Sequence, residues 1–313
     1  MIHQAPALAL RYPPVRFIDV RALLAIWRRE LVRYRQDRSQ WFGGISRTIL
    51  WLVILGFGIG ASYTNIEGYT YTQYILPGVI TLNIIFASLQ SAIALVWDRE
   101  VGLMRAVLVS PAPIGSVVAG KLLGGATVAV AQGTIALCFA PLAGVAVSVV
   151  RVLLAWAVMF SMAMLLMSIG TIIASRMSTF EGFGSISNGV VLPMYFLSGA
   201  VFPIRGIVGL GGFLVQLPIW LKVLMYANPV TYQVDLLRGV LLDFQQLPPE
   251  LDLLMAVALP AATTAAAGRS PTPLSGSACA RSGGLQDRGT RRSLSGPSVP
   301  TDSRDSFPPS SHL

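Results

Sequence analysis

The segment Gly115 to Leu122, "GSVVAGKL", has the G-x-x-x-x-G-K spacing of a loop whose backbone N–H groups and lysine cradle a nucleotide's phosphates. That chemistry also needs a hydroxyl after the lysine to ligand magnesium, and Leu122 stands there. The segment opens an apolar helix instead of following a buried strand. Upstream, "IALVWDRE" (Ile93 to Glu100) imitates an apolar strand ending in an acid, but it closes a long apolar run and precedes the supposed phosphate loop, the reverse of the usual order. Both likenesses are read as chance.

Nucleophilic and metal chemistry find no better footing. There is no G-x-S-x-G and no H-E-x-x-H, and the two histidines, His3 and His312, stand at the extreme ends. Cys138 lies in an apolar run and Cys279 in a polar stretch, too few for a disulfide framework or a zinc site. An intramembrane protease would need acids or a Ser–His pair at membrane depth, and the apolar runs hold none. The expectation is a chain with no catalytic residue, no metal ligand and no cofactor of its own.

The elements around these residues explain the absence. Of the 313 residues, 54% are hydrophobic and only 12% charged, about half the charged share of a typical soluble domain, and the mean hydropathy is +0.65. The apolar residues gather in uncharged runs near the length a helix needs to cross about 30 Å of hydrocarbon. The runs are Thr48 to Tyr63, Tyr74 to Trp97, Leu122 to Ala140, Val152 to Ala174 and Phe183 to Phe202. Gly206 to Tyr226 is long enough to span, yet its four glycines, Pro218 and Lys222 fit a re-entrant or interfacial helix pair better, with a full span as the alternative. Leu253 to Ala267, which contains Pro260, is a marginal sixth span.

The net charge of +9 raises nucleic acid as a partner, but its placement points to a membrane. Nine arginines precede the first apolar run, and no cleavable signal pattern is expected in the first 30 residues. With the N-terminus inside, Lys and Arg divide 19 inside to 4 outside, so a cytoplasmic N-terminus and a cytoplasmic 98–121 loop follow. Between Val20 and Tyr34 the large apolar residues recur at helical spacing with Arg21, Arg28, Arg29 and Arg33 mostly elsewhere. This predicts an amphipathic helix, either in the headgroup plane or packed on protein. From Gly268 the chain is half Ser, Pro and Gly and cannot bury enough surface to fold. It reads as a disordered tail, either a linker or a frameshifted end. The expected division is a cytoplasmic 1–46, a permease domain 47–267 with loop 98–121 and an extracellular region 203–250, and the tail 268–313.

Spans without ionisable groups give an ion gradient little to act on, so active transport would draw energy from a partner. The natural docking segment is the 98–121 loop. Arg99, Glu100 and Arg105 lie beside Val101, Leu103, Met104, Val107 and Leu108, stopped by Pro111 and Pro113. Such a short amphipathic helix can insert an apolar ridge into a groove while its charges fix orientation. A solvated connector is the alternative.

Five stretches, in order, carry a resemblance: "WDREVGLMRAVLVSPAP" (Trp97 to Pro113), "GKLLGGATVAVAQG" (Gly120 to Gly133), "IASRMSTFEGF" (Ile173 to Phe183), "PMYFLSGAVFPI" (Pro193 to Ile204) and "NPVTYQVDLLRG" (Asn228 to Gly239). From about Asp19 to Leu242 the chain resembles the transmembrane subunit of type-2 ABC exporters, the drug and nodulation-factor export permeases. The resemblance implies an all-α integral membrane protein of a prokaryotic inner (plasma) membrane. It would have a connecting helix, about six transmembrane helices and a re-entrant extracellular helical hairpin before the last. It also implies partners: a second permease, identical or related, and cytoplasmic ATPase subunits, with ATP hydrolysis outside this chain. ATPase contact would fall on Arg99, Glu100, Leu103, Arg105 and Pro111, with Glu181 as a second contact or a helix N-terminal charge. Ser198, Gly199, Phe202 and Pro203 would end the fifth helix and shape the gate, and Asn228 and Pro229 would open the following helix. Asn83, Ser88, Gln90, Ser187 and Asn188 are candidates for the cavity wall or for interhelical hydrogen bonds. The alternative function is a non-transporting scaffold or a pseudo-permease with a defective last helix. A gradient-driven carrier ranks below both.

Overall fold

The structure is a computed structural model that describes residues 19–60, 68–100, 113–177, 179–204, 207–208, 214–215 and 217–269. Helix α1 (Val20–Gln36) is capped by Asp19, whose carboxylate accepts the Arg21 N–H at 2.9 Å. Asp37 then ends α1 and starts α2 (Arg38–Val53): its N–H bonds to the carbonyls of Arg33 and Tyr34, while its carboxylate accepts the Gln40 N–H at 3.2 Å. One residue makes the whole elbow. The helical break therefore falls at Asp37, and α2 runs through residue 46, where composition drew the boundary. A π-helical turn, Ile54–Ile59, continues α2.

Helix α3 (Tyr71–Glu100) is the spine. Ile75, Leu76, Val79, Ile80, Ile84 and Ile85 are fully buried along it, against α4 (Ile114–Leu137), α5 (Val149–Arg176) and α6 (Phe180–Phe196). Pro77 lies inside α3, and the Thr81 hydroxyl donates to its carbonyl at 2.8 Å. Between α4 and α5 a 3-10 turn, Ala140–Ala143, ends on Gly144 at φ +77, a left-handed position glycine occupies without steric penalty.

After α6 come two two-residue strands, β1 (Ile207–Val208) and β2 (Leu214–Val215), paired antiparallel with Ile207 opposite Val215. They are a small departure from the all-helical expectation, at β-branched and leucine residues that suit extended backbone. Helices α7 (Ile219–Ala227) and α8 (Pro229–Leu242) meet at Asn228. Helix α9 (Pro249–Arg269) packs on α5 and α8. It starts before the Leu253 expected from the apolar run, so Asp252 belongs to its first turn. The tail expected over 268–313 lies outside the described residues, apart from the Gly268 and Arg269 backbone.

Many large apolar side chains point outward: Phe42 and Leu50 on α2, Val149, Val150, Leu153 and Leu154 on α5, and Ile219 and Trp220 on α7. Water would not tolerate so much contiguous apolar surface, whereas hydrocarbon does. Three described helices are each long and apolar enough to cross a bilayer, within Tyr71–Asp98, Val149–Arg176 and Pro249–Ala267. The fold is that of an integral membrane protein of helices.

Candidate functional site

At one end of α3, three elements meet around a buried carboxylate. Asp98 sits in the last turn of α3 with its side chain 7% exposed. Its Oδ2 takes an ion pair from Lys121 Nζ on α4 and another from Arg29 Nη2 on α1 at 3.3 Å, and Lys121 also lies 3.9 Å from Glu30 Oε1 on α1. The negative end of a helix dipole disfavours a carboxylate in that turn. The charge is held there by cations from two other helices.

Helix α1 is seated on α4 by the same face. The Asp19 N–H donates to Ser116 Oγ at 2.6 Å, and Trp27 Nε1–H donates to Thr127 Oγ1 at 3.2 Å. Gly120 and Gly124 make the approach possible: a Cβ on Gly120 would lie 2.9 Å from the Leu23 carbonyl oxygen, and one on Gly124 would lie 2.8 Å from Glu30 Cβ. Tyr34 is buried and stacks on Trp41, with ring centroids 5.0 Å apart. Of the two readings of this helix, packing on protein describes its Trp27 and Tyr34 side. Arg21, Arg28 and Arg35 remain exposed on the other.

The opposite end of α3 carries a second polar cluster, about 36 Å away along the helix at 1.5 Å per residue from Asp98 to Tyr74. Gly199, at φ +70 just past α6, presents its carbonyl to the Tyr74 hydroxyl at 3.0 Å and to Arg238 Nη2 at 2.9 Å. Arg238 Nη1 pairs with Asp235 Oδ1 at 3.0 Å, and Asp235 Oδ2 accepts the N–H groups of Gln246 and Leu247, both at 2.8 Å. Asp252 is buried on α9 beside this pair. Asn228 caps α8 through the Val230 N–H at 3.1 Å and donates from Nδ2 to the Met194 carbonyl of α6 at 2.6 Å, with Pro229 in the first helical turn. The Ser198 hydroxyl donates to the Tyr195 carbonyl at 2.6 Å, Pro203 is buried and Phe202 is exposed.

Among the residues expected to contact an ATPase, Leu103, Arg105 and Pro111 lie outside the described residues. Arg99 and Glu100 are described as backbone only, closing α3. Glu181 is exposed in the first turn of α6, where the helix dipole favours an acid. Of the cavity candidates, Asn83 is buried and donates from Nδ2 to Thr48 Oγ1 on α2 at 3.1 Å and to the Val79 carbonyl at 3.0 Å. Ser88 and Ser187 are buried with hydroxyls that find no partner among the described residues, Gln90 is exposed, and Asn188 is described as backbone only.

The family model described as ABC-2 type transporter matches residues 21–242. This chain belongs to the ABC-2 transporter family. Among its relatives, Nodulation protein J of Rhizobium leguminosarum bv. viciae is 26% identical over 232 residues, covering 70% of this chain and 82% of that protein. Nodulation protein J of Bradyrhizobium diazoefficiens is 27% identical, covering 70% and 80%. The Inner membrane transport permease YadH of Escherichia coli K12 is 26% identical over 237 residues, covering 72% and 85%. ABC-2 permeases are membrane subunits of transporters and not themselves enzymes, so this chain is the transmembrane subunit of an ABC transporter.

In the sequence Asp98 and Lys121 mark only the borders of a loop, and Tyr74 and Thr48 only the starts of apolar runs. The available signal was a pair of opposite charges, each abutting an apolar run. For Tyr74 no local pattern distinguishes a buried hydroxyl that binds a carbonyl from an interfacial aromatic.

Proposed function

We propose that this ABC-2 permease is the pathway-forming subunit of an exporter, with a cytoplasmic N-terminus, working as a dimer with a separate cytoplasmic ATPase that docks on the 98–121 loop. The observation that carries the reading is the Asp98 cluster, which gathers the two borders of that loop and the arginine-rich α1 at one end of the spine. Arg99, Glu100, Leu103 and Arg105 form the docking face in this reading, Pro111 ends it, and Glu181 contributes from the second loop on that side. The Gly199–Arg238–Asp235 cluster then lies at the extracellular end, where it fixes α7 and α8 as a re-entrant hairpin that gates the exit.

Between the charged clusters at its two ends, the interior holds the uncharged polar residues Asn83, Ser88 and Ser187, which suit an amphiphile better than a charged solute. The relatives named as a nodulation protein and an inner membrane transport permease support a prokaryotic inner membrane as the setting. Affinity purification of the tagged chain tests the assignment. A Walker-motif ATPase should come with it, and Leu103→Asp combined with Arg105→Glu should release it. Retention by the double variant would exclude the docking assignment.

The composition of 268–313 favours a second reading, a pseudo-permease whose end no longer supports transport. Reconstitution with the ATPase in vesicles distinguishes the two: a permease moves an amphiphile when ATP is supplied, and a pseudo-permease holds the ATPase and moves none.

A further inference from the structure

In the sequence Arg47 borders the first apolar run, yet the structure sets its charge beside the interior of a span. The guanidinium lies 4.3 Å from the centroid of the Phe86 ring. Phe86 stands within the apolar span Tyr71–Asp98 of α3, about 18 Å along the helix from Asp98 and as far from Tyr74 at 1.5 Å per residue. We propose that Arg47 binds the anionic headgroup of the transported molecule, which makes the substrate an amphiphile carrying a phosphate, sulfate or carboxylate. The proposal rests on the permease reading above and narrows the amphiphile it names.

Arg47 lacks a counter-charge. A charge at membrane depth is costly and is kept where it meets a partner or a water-filled path. Among the described residues Arg47 makes no ion pair and donates no hydrogen bond; the Phe86 ring is its one polar contact. The uncharged runs hold no acid, so a second copy packing its own runs on this face supplies no carboxylate either. The balancing anion has to come from a molecule other than this chain.

The geometry leaves the guanidinium ready for one. Asn83 Nδ2 donates to Thr48 Oγ1 at 3.1 Å and fixes α2 against α3 next to the Arg47–Phe86 pair. A cation above an aromatic face is attracted to it, and that contact spends none of the N–H groups whose planar fork takes an oxyanion by two hydrogen bonds. Arg47 and Phe86 are half-buried, and Gln90, one turn along α3 toward Asp98, is exposed. An amide facing hydrocarbon would lose its hydrogen bonds, so this face meets polar groups and leads from the Asp98 end to Arg47. Leaflet headgroups stand at the level of the charged helix ends. An anion beside Phe86 has left that level, as a molecule in transit does.

The full chain in phosphatidylcholine nanodiscs, with empty nanodiscs as the blank, is titrated with two fluorescent single-chain probes: a lysophosphatidic acid and the matching monoacylglycerol, which lacks the phosphate. The wild-type chain is expected to bind the phosphate probe about tenfold more tightly, the worth of one charge-assisted hydrogen bond. Arg47→Gln is expected to bind both probes alike, and Arg47→Lys to keep part of the preference. Without probe, Arg47→Gln is expected to unfold at no lower temperature than the wild type, because it removes an unpaired charge from the span. Equal binding by the wild type, or a preference that survives Arg47→Gln, overturns the proposal. So does an Arg47→Gln chain that loses its stability together with the preference, since Arg47 is then structural. Two further arms identify the source of the anion. Excess inorganic phosphate should leave the probe bound, and phosphatidylglycerol in the nanodisc, at a salt concentration that screens surface charge, should leave the preference intact. Displacement by phosphate assigns the site to a free anion, loss of the preference assigns it to leaflet lipid, and either result overturns the substrate assignment. Co-purification of the ATPase is scored separately: a chain that shows the preference but holds no ATPase fails the permease reading, and a chain that holds its ATPase without the preference fails this proposal alone.

Discussion

The Arg238 guanidinium lies 4.2 Å from the centroid of the Tyr74 ring, and both side chains donate to the same carbonyl, that of Gly199. The residues are 164 positions apart on α8 and α3, and Gly199 adds the end of α6. With Asp235 tying in the segment before α9, four stretches of chain converge on one arginine that is 1% exposed. A buried ion pair owes its strength to full hydrogen bonding of both partners. Here Asp235 has three donors, while Arg238 uses both terminal nitrogens and the face of its plane but finds no partner for Nε among the described residues.

Arg238→Met should therefore lower thermal stability in detergent sharply. Removing one partner of a buried pair costs about 3–5 kcal/mol, since Asp235 would be left with backbone donors alone. Arg238→Lys should recover only part, because an ammonium cannot reach Asp235 and the Gly199 carbonyl with a planar fork. Thermal unfolding in one detergent, comparing the three chains, checks this. A Met variant as stable as the wild type would contradict it.

Seating of α1 on α4 depends on bare backbone at Gly124. Gly124→Val would place a branched side chain where even a Cβ lies 2.8 Å from Glu30 Cβ. The expected result is displacement of α1, read as loss of a disulfide engineered between α1 and α4 that forms readily in the parent. Gly43→Ala, at a glycine with open space around it, should leave that disulfide unaffected.

Burial pushes the Tyr34 hydroxyl up to about 12, with the Gln132 side chain drawing it partly back. The sign follows from comparing protons bound. Below the ordinary tyrosine value near 10 both folded and unfolded chains keep the proton, and the contribution is fully present. As pH rises from about 10 toward 12 the unfolded chain ionises first and stability is lost. Tyr34→Phe should flatten that part of the alkaline loss. The unfolding midpoints of both chains at about pH 9 and 11 check it, and equal losses would contradict it.

Asn228 is both cap and tie. Asn228→Ala should lose about 1 kcal/mol for the cap alone, and more because its Nδ2 also bonds the Met194 carbonyl of α6. Asn228→Ser, which keeps a capping oxygen but cannot reach across in the same way, should fall between. Thermal unfolding of the three chains orders them, and a Ser variant as damaged as the Ala variant would show that the tie dominates.

Long apolar runs made α3 and α5 legible, because hydrocarbon imposes length and composition on a span regardless of its neighbours. The elbow at Asp37 was not legible. No glycine or proline marks it, and a single aspartate that both ends and starts a helix looks like any other polar residue in a basic stretch. Helix α9 begins four residues before the apolar run that marks it in the sequence, for a related reason: Asp252 bounds that run, yet it is buried beside Asp235 and Arg238. The candidate site was legible as a loop and not as a cluster. Residues 98 and 121 flank a segment of chain, and their contact, together with that of Arg29, exists only once three helices have packed.

The proposed function requires energy to enter this chain through the 98–121 segment. A photo-crosslinking amino acid at position 103, introduced into the full chain in its native membrane, measures this most directly. The expected result is a crosslinked product whose peptides carry the Walker motif of an ABC ATPase, formed at position 103 and not at Trp220 of α7. Crosslinking of that ATPase from position 220 and not from 103, or proton-driven solute pumping by the purified chain alone, would contradict it.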